Sequence, residues 1–283
     1  MKLRISGALI LFCVTACERM PESPTASGTA PAATTTPAEI PLSPTPAPPA
    51  AAIAIGTDEI NQARTLKADG KLAAARDLLR PVAELPEAPA AAVELLNEIN
   101  TQILFTPSPA PEKVDYTIVA GDSLAKLAKQ FNTTVEAIKK SNNLTSDLIR
   151  IGNRLRIYQG ELALLASKSA NTLTLTDHGK LLKRYRVGTG EYSKTPVGDF
   201  KITFRQANPV WHRGDKIIPF GDPENILGTH WLGLDIPGYG IHGTWDNSSV
   251  GKQSSAGCIR LINEDVAELY TLLPVGTPVT IRE

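Results

Sequence analysis

Gly240-Ile241-His242-Gly243-Thr244 and, one short loop later, Ser255-Ala256-Gly257-Cys258-Ile259-Arg260 are the two stretches on which the reading turns. A cysteine attacks as its thiolate and needs a base nearby, and histidine is the usual one. Glycines beside His242 permit close backbone approach. Gly257 allows an unusual turn ahead of Cys258 that aims successive N–H groups at one point, as an oxyanion hole requires. Arg260 adds a fixed positive charge able to lower the thiol pKa or hold a carboxylate. A lone cysteine taken by itself reads more simply as a small buried hydrophobe; the surrounding residues tip the balance towards chemistry.

The rest of the cysteine inventory sharpens this. The chain of 283 residues has three cysteines, Cys13, Cys17 and Cys258. Lys2 and Arg4 followed by a short apolar run over residues 5–14 read as an export signal, too short for a membrane-spanning helix of about 20 residues. The run ends in Val14-Thr15-Ala16-Cys17, which resembles a bacterial lipobox. Residues 1–16 are then a signal peptide, and Cys17 is the lipidated first residue of an exported, membrane-anchored protein in the cell envelope or periplasm; plain cleavage after Ala16 is the alternative. Export puts Cys258 in a compartment that favours disulfides, with no internal partner, and a leftover thiol there is a candidate reactive group. Formal net charge is zero and charged residues make up 20%. No basic stripe stands out, so nucleic acid is not an expected partner.

Residues 18–56 are Pro-, Ala- and Thr-rich and bury too little apolar surface to fold, so they read as a disordered linker. Residues 57–105 carry helical periodicity interrupted by Gly70, and Pro81 reads as a stop; the segment is expected to be a helical hairpin. Residues 114–159 read as strand, helix, helix, strand, with Asp122 a candidate cap for the first helix and Thr134 ahead of the second. Tyr116, Gly121-Asp122-Ser123-Leu124, Phe131, Ile138, Asn142-Asn143-Leu144, Ile151-Gly152 and Leu155 make this module resemble the LysM family. The resemblance implies peptidoglycan glycan strands as partners, held between two loops at Gly121, Asp122, Ser123 and Leu124 and at Ile149 and Ile151; Leu124 and Ile151 read equally well as core. The module is expected to fold independently of the residues C-terminal to it.

Residues 160–283 read mainly as strands, with a hairpin turn at Asp177-His178-Gly179 and one late helix that Asn263 is placed to cap. The histidine and cysteine stretches, with Thr195-Pro196-Val197-Gly198-Asp199-Phe200, Asn208-Pro209-Val210-Trp211 and Trp231-Leu232-Gly233-Leu234, resemble the L,D-transpeptidase catalytic domain, also called the YkuD family. The expected fold class is therefore multidomain α+β. It comprises a helical hairpin, a LysM βααβ module, and a mainly β catalytic domain of sandwich- or barrel-like mixed sheets with one C-terminal helix.

The resemblance implies a peptidoglycan stem peptide as substrate, with Cys258 as nucleophile and His242 as base. It further implies that the Gly243 carbonyl orients the imidazole, that the N–H groups of Gly257 and Cys258 hold the oxyanion, and that Ser255 and Arg260 support the site. It also implies acylation of this thiol by carbapenems. Many members of the family have histidine where this chain has Ala256, a position whose backbone role tolerates alanine. Of the other histidines, His178 reads as a turn residue, His212 as part of a surface loop or lid, and His230 either as a residue near the cleft or, more simply, as a satisfied strand residue. No zinc-ligand spacing surrounds His242 and Cys258, and neither metal nor cofactor is expected. Two alternatives stay open: an L,D-carboxypeptidase on the same fold, and a catalytically silent wall-binding protein.

Overall fold

The computed structural model describes residues 56–283. The signal peptide, the lipobox with Cys17 and nearly all of the linker lie outside the described residues.

Three helices come first: α1 (Thr57–Ala68), α2 (Leu72–Ala83) and α3 (Ala90–Phe105). The α1–α2 turn is a Schellman cap. Gly70 takes φ +74°, while Lys71 N–H donates to the Leu66 carbonyl and Gly70 N–H to that of Lys67. Ile60, Leu72, Leu79, Leu96 and Ile99 form a small core among these helices. The expected hairpin is thus a three-helix unit. Pro81 does not stop α2, which runs two residues beyond it. A proline near a helix C-terminus forfeits a single backbone bond, and burial of Leu79, Val82 and Ala83 offsets that loss.

The next module pairs β1 (Lys113–Thr117) antiparallel with β2 (Arg154–Tyr158), with α4 (Leu124–Gln130) and α5 (Val135–Ser141) between them. Ser123, not Asp122, caps α4, accepting from the Lys126 N–H at 3.2 Å. The Asp122 carboxylate is instead drawn back to the first strand. It accepts from Val119 N–H at 2.8 Å and from the Tyr116 hydroxyl at 2.9 Å. Thr134 caps α5.

The remaining residues build one curled mixed sheet. Its strands are β3 (Leu162–Ser167), β4 (Thr172–Asp177), β5 (Lys180–Arg186), β7 (Gly198–Ala207), β10 (His230–Leu234), β11 (Gly240–His242), β13 (Ile259–Arg260) and β14 (Pro278–Arg282). They lie in the order β13-β11-β10-β7-β14-β3-β4-β5. Neighbours are antiparallel except β14–β3 and β11–β13, which are parallel. Two small pairs flank the sheet: β6 (Thr189–Gly190) with β12 (Gln253–Ser255), and the hairpin β8 (Trp211–Arg213) with β9 (Lys216–Ile218). The late helix α6 (Asn263–Leu272) buries Val266, Leu269 and Leu272 against the sheet. Its N-cap is Ile262 rather than the expected Asn263. The Asn263 side-chain oxygen is taken by the Thr229 N–H at 3.0 Å.

The modules share one core. Leu104 and Phe105 from α3 and Tyr158 from β2 pack with Leu164, Leu173, Leu175 and Ile202 of the sheet. The expectation that the LysM module folds independently of the strands after it therefore meets a structural obstacle, because a cut at Gly160 removes three side chains from the catalytic core.

Candidate active site

His242 ends β11 and Arg260 ends β13, directly opposite each other in a parallel pair. Side chains alternate along a strand, so Ile241 and Ile259 point together into the main core, where both are buried. His242 and Arg260 take the other face, and Cys258, two residues before Arg260, shares it. On the antiparallel side Trp231 of β10 is opposite His242, and the two rings stack with centroids 5.6 Å apart. Trp231 also packs with Cys258, Leu227, Trp211 and Ile218 in a single apolar cluster. Trp211 and Ile218 come from the β8–β9 hairpin, which roofs the thiol and leaves Cys258 only 6% exposed. The Cys258 thiol donates to the Gly238 carbonyl, Sγ to O at 3.6 Å.

The imidazole is fixed by its nearest backbone. His242 Nδ1 lies 2.6 Å from the Gly243 carbonyl oxygen. A carbonyl only accepts, so Nδ1 carries the proton in the neutral ring and Nε2 is left as the basic nitrogen. Gly243 is required by close packing: a Cβ there would lie 2.2 Å from Asn263 Oδ1. Asn263 is thus a supporting residue that local sequence reasoning assigned to helix capping. Burial is the main influence on the His242 pKa, which is lowered to about 4. The Arg260 charge lowers it further, against the Gly243 and Leu227 carbonyls, which raise it.

The turn before Cys258 is equally constrained. Gly257 takes φ +138°, and a Cβ on it would meet the Tyr239 ring at 2.7 Å. Ser255 is buried and its hydroxyl ties the turn twice, accepting from Gly257 N–H at 3.1 Å and donating to the Cys258 carbonyl at 2.6 Å. Of the two N–H groups expected to hold an oxyanion, that of Gly257 is therefore already engaged by Ser255. This narrows the expected donor pair towards the Cys258 N–H.

The LysM residues divide. Leu124 is buried in that module's core and Ile149 packs against it. Gly121 and Ser123 are exposed, Asp122 is half-buried, and Ile151 stands 71% exposed beside Leu148 at 74%. Among the histidines outside the pair, His178 occupies the β4–β5 turn with φ +49° and His212 lies on β8. His230 sits on the face of β10 opposite Trp231, against Tyr270 with ring centroids 4.7 Å apart. Among the described residues no group of three or more His, Cys, Asp or Glu is placed to hold a metal ion, and no helix is long and apolar enough to cross a membrane.

Residues 162–281 match the YkuD family, the L,D-transpeptidase catalytic domain, and residues 116–157 match the LysM domain. The protein of Bacillus subtilis (strain 168) named "Putative L,D-transpeptidase YkuD" is 35% identical over 174 residues, 59% of this chain and 98% of that protein. The chain belongs to the L,D-transpeptidase family. Its counterpart of the same name in Bacillus licheniformis is 35% identical over 175 residues, 59% of this chain and 97% of that one. Among solved structures, the L,D-transpeptidase from Mycobacterium smegmatis is similar at 25% identity and a TM-score of 0.38, over 47% of this chain and 65% of that one. As an L,D-transpeptidase family member with a LysM domain, the chain is an enzyme of the cell wall, working outside the cytoplasm on peptidoglycan.

Proposed function

We propose that the chain is a peptidoglycan L,D-transpeptidase in which Cys258 is the nucleophile and His242 the general base. The observation that carries this reading is the bond from His242 Nδ1–H to the Gly243 carbonyl, on the strand beside Cys258. It leaves Nε2 as the nitrogen able to take a proton, in a ring that burial holds neutral at physiological pH. Cys258 Sγ attacks the diaminopimelate carbonyl of a tetrapeptide stem. The thiol proton passes to His242, and the oxyanion forms against the Cys258 N–H. The C–N bond to terminal D-alanine breaks, the leaving amine takes the proton from His242, and a thioester remains. An amine of a second stem then attacks the thioester, losing a proton to His242, and the C–S bond breaks to regenerate the thiol. Arg260 acts on the pair through its charge, and Ser255 holds the turn.

The LysM module is read as the glycan-holding part, with exposed Ile151 and Leu148 and the loop at Gly121 and Ser123 as its contact surface. The Val14-Thr15-Ala16-Cys17 sequence supports a lipid anchor at Cys17 that holds the enzyme at a membrane of the envelope. Incubation with disaccharide-tetrapeptide, with mass analysis of the products, tests the activity. A cross-linked dimer is the expected product. Tripeptide alone assigns a carboxypeptidase, and unchanged substrate a silent wall-binding protein.

A further inference from the structure

Oxyanion stabilisation at Cys258 requires its N–H to be aimed, and Ser255 does not do this. Ser255 holds the carbonyl on the far side of Cys258, but the N–H belongs to the Gly257–Cys258 peptide, whose own carbonyl is that of Gly257. In a trans peptide the C=O and N–H point in opposite directions from one rigid plane. Whatever grips the Gly257 oxygen therefore sets the direction of the Cys258 N–H.

The grip comes from a residue distant in sequence. The Thr195 hydroxyl donates to the Gly257 carbonyl at 2.8 Å. The same hydroxyl oxygen accepts from the Gly190 N–H at 2.7 Å, so the hydroxyl hydrogen is committed to Gly257. Thr195 is only 1% exposed, which keeps water from competing for either bond. The approach is close on every side: a Cβ on Gly190 would lie 2.6 Å from Thr195 N and 3.0 Å from Gly257 Cα. Gly190 is itself paired with Ser255 in the β6–β12 ladder, so both holds on the cysteine turn share one frame. Gly257 is the flexible point in this turn, since its φ of +138° belongs to glycine alone. Without an external hold the peptide plane has freedom to rotate about it.

We infer that Thr195 is a positioning residue for the acyl-transfer step, its hydroxyl fixing the Gly257–Cys258 peptide so that the Cys258 N–H faces the forming oxyanion. This rests on the assignment of Cys258 as nucleophile. It predicts a selective defect. Attack on a carbonyl builds an oxyanion and needs that N–H; alkylation by iodoacetamide displaces iodide and builds none.

The test uses the full chain with disaccharide-tetrapeptide as substrate, and follows alkylation on the peptide Gln253–Arg260 by mass. Thr195→Val should lower kcat by roughly 10- to 100-fold, the scale of a small misplacement in a catalytic group. KM and the iodoacetamide rate at Cys258 should stay close to wild type. Thr195→Ser keeps the hydroxyl and should restore most of kcat. If Thr195→Val does not fold, Thr195→Ala removes the hydroxyl without forcing a methyl into its place and gives the same comparison. Wild-type kcat in the Val or Ala variant overturns the role of Thr195 while leaving Cys258 in place. Equal loss of turnover and alkylation, unrescued by Ser, also overturns it and makes Thr195 merely structural. A wild-type protein that never acylates at Cys258 takes down the functional reading itself, and this inference with it.

Discussion

His242 carries the heaviest demand of any single residue, because a base must be neutral to accept a proton. Burial among Trp231, Leu227 and neighbouring strands disfavours the charged ring and brings its pKa to about 4. The acid limb of the pH profile for acylation should then lie near pH 4, with the rate holding down to about pH 5, rather than near the ordinary histidine value of about 6.5. A limb centred near 6.5 would mean that the ring is solvated or charged. The same shift links to stability. Between pH 6.5 and 4 the unfolded chain binds a proton on this ring and the folded chain does not, so stability should fall as pH drops through that window. His242→Ala should remove a slope worth about 3 kcal/mol in total, read by urea unfolding at successive pH values. The sequence made Cys258 and His242 conspicuous, through scarcity of cysteine and the glycines around both. Asn263 and Thr195 were less legible as supports. Their partners, Thr229 and Gly257, are distant in sequence, so Asn263 looked like a helix cap and Thr195 stood out only as the first residue of the Thr195–Phe200 stretch that supports the family resemblance.

At the scale of elements, the edge of the sheet decides what the N-terminal helices are for. Strand β5 ends the sheet, and an open edge presents unpaired backbone groups that invite association. Helix α3 closes it with side-chain amides. Asn97 both donates to the Arg184 carbonyl at 2.9 Å and accepts from the Arg184 N–H at 3.0 Å, imitating a neighbouring strand. Asn100 donates to the Leu182 carbonyl at 2.6 Å, and Glu84 accepts from the Leu181 N–H at 2.8 Å. Leu181 packs into the helical core. Asn97→Ala should cost about 1–3 kcal/mol in urea unfolding, since both Arg184 groups lose their partner. An unchanged midpoint would mean that water replaces the amide at no cost. Periodicity in residues 57–105 announced helices, because the apolar spacing is local. It said nothing of β5, since an asparagine on a helix face looks like ordinary surface until a strand is laid beside it.

Across the whole molecule, the LysM module is docked rather than merely strung alongside. Thr134, at the head of α5, donates its hydroxyl to the Thr271 carbonyl in α6, and Arg205 of β7 reaches both the Tyr270 carbonyl and Glu136. Lys140 stands 3.9 Å over the Phe105 ring, tying α5 to α3. A glycan held by the module would therefore bear on a body continuous with the catalytic sheet. The three modules were legible from their separate residue patterns. Their union was not, because it depends on contacts between modules that no single stretch of sequence contains, such as Thr134 with Thr271 and Glu136 with Arg205.

Every catalytic role assigned here depends on Cys258 being the acylated group, and mass spectrometry of the protein with a carbapenem probes that step without intermediaries. A soluble form beginning after Cys17 has Cys258 as its one cysteine, so adduct and site are assigned together. One carbapenem per chain is expected on the peptide containing Cys258, with none on Cys258→Ser and acylation slowed about 100-fold in His242→Ala. An adduct of equal yield on Cys258→Ser, or an unchanged rate in His242→Ala, would contradict the assignment.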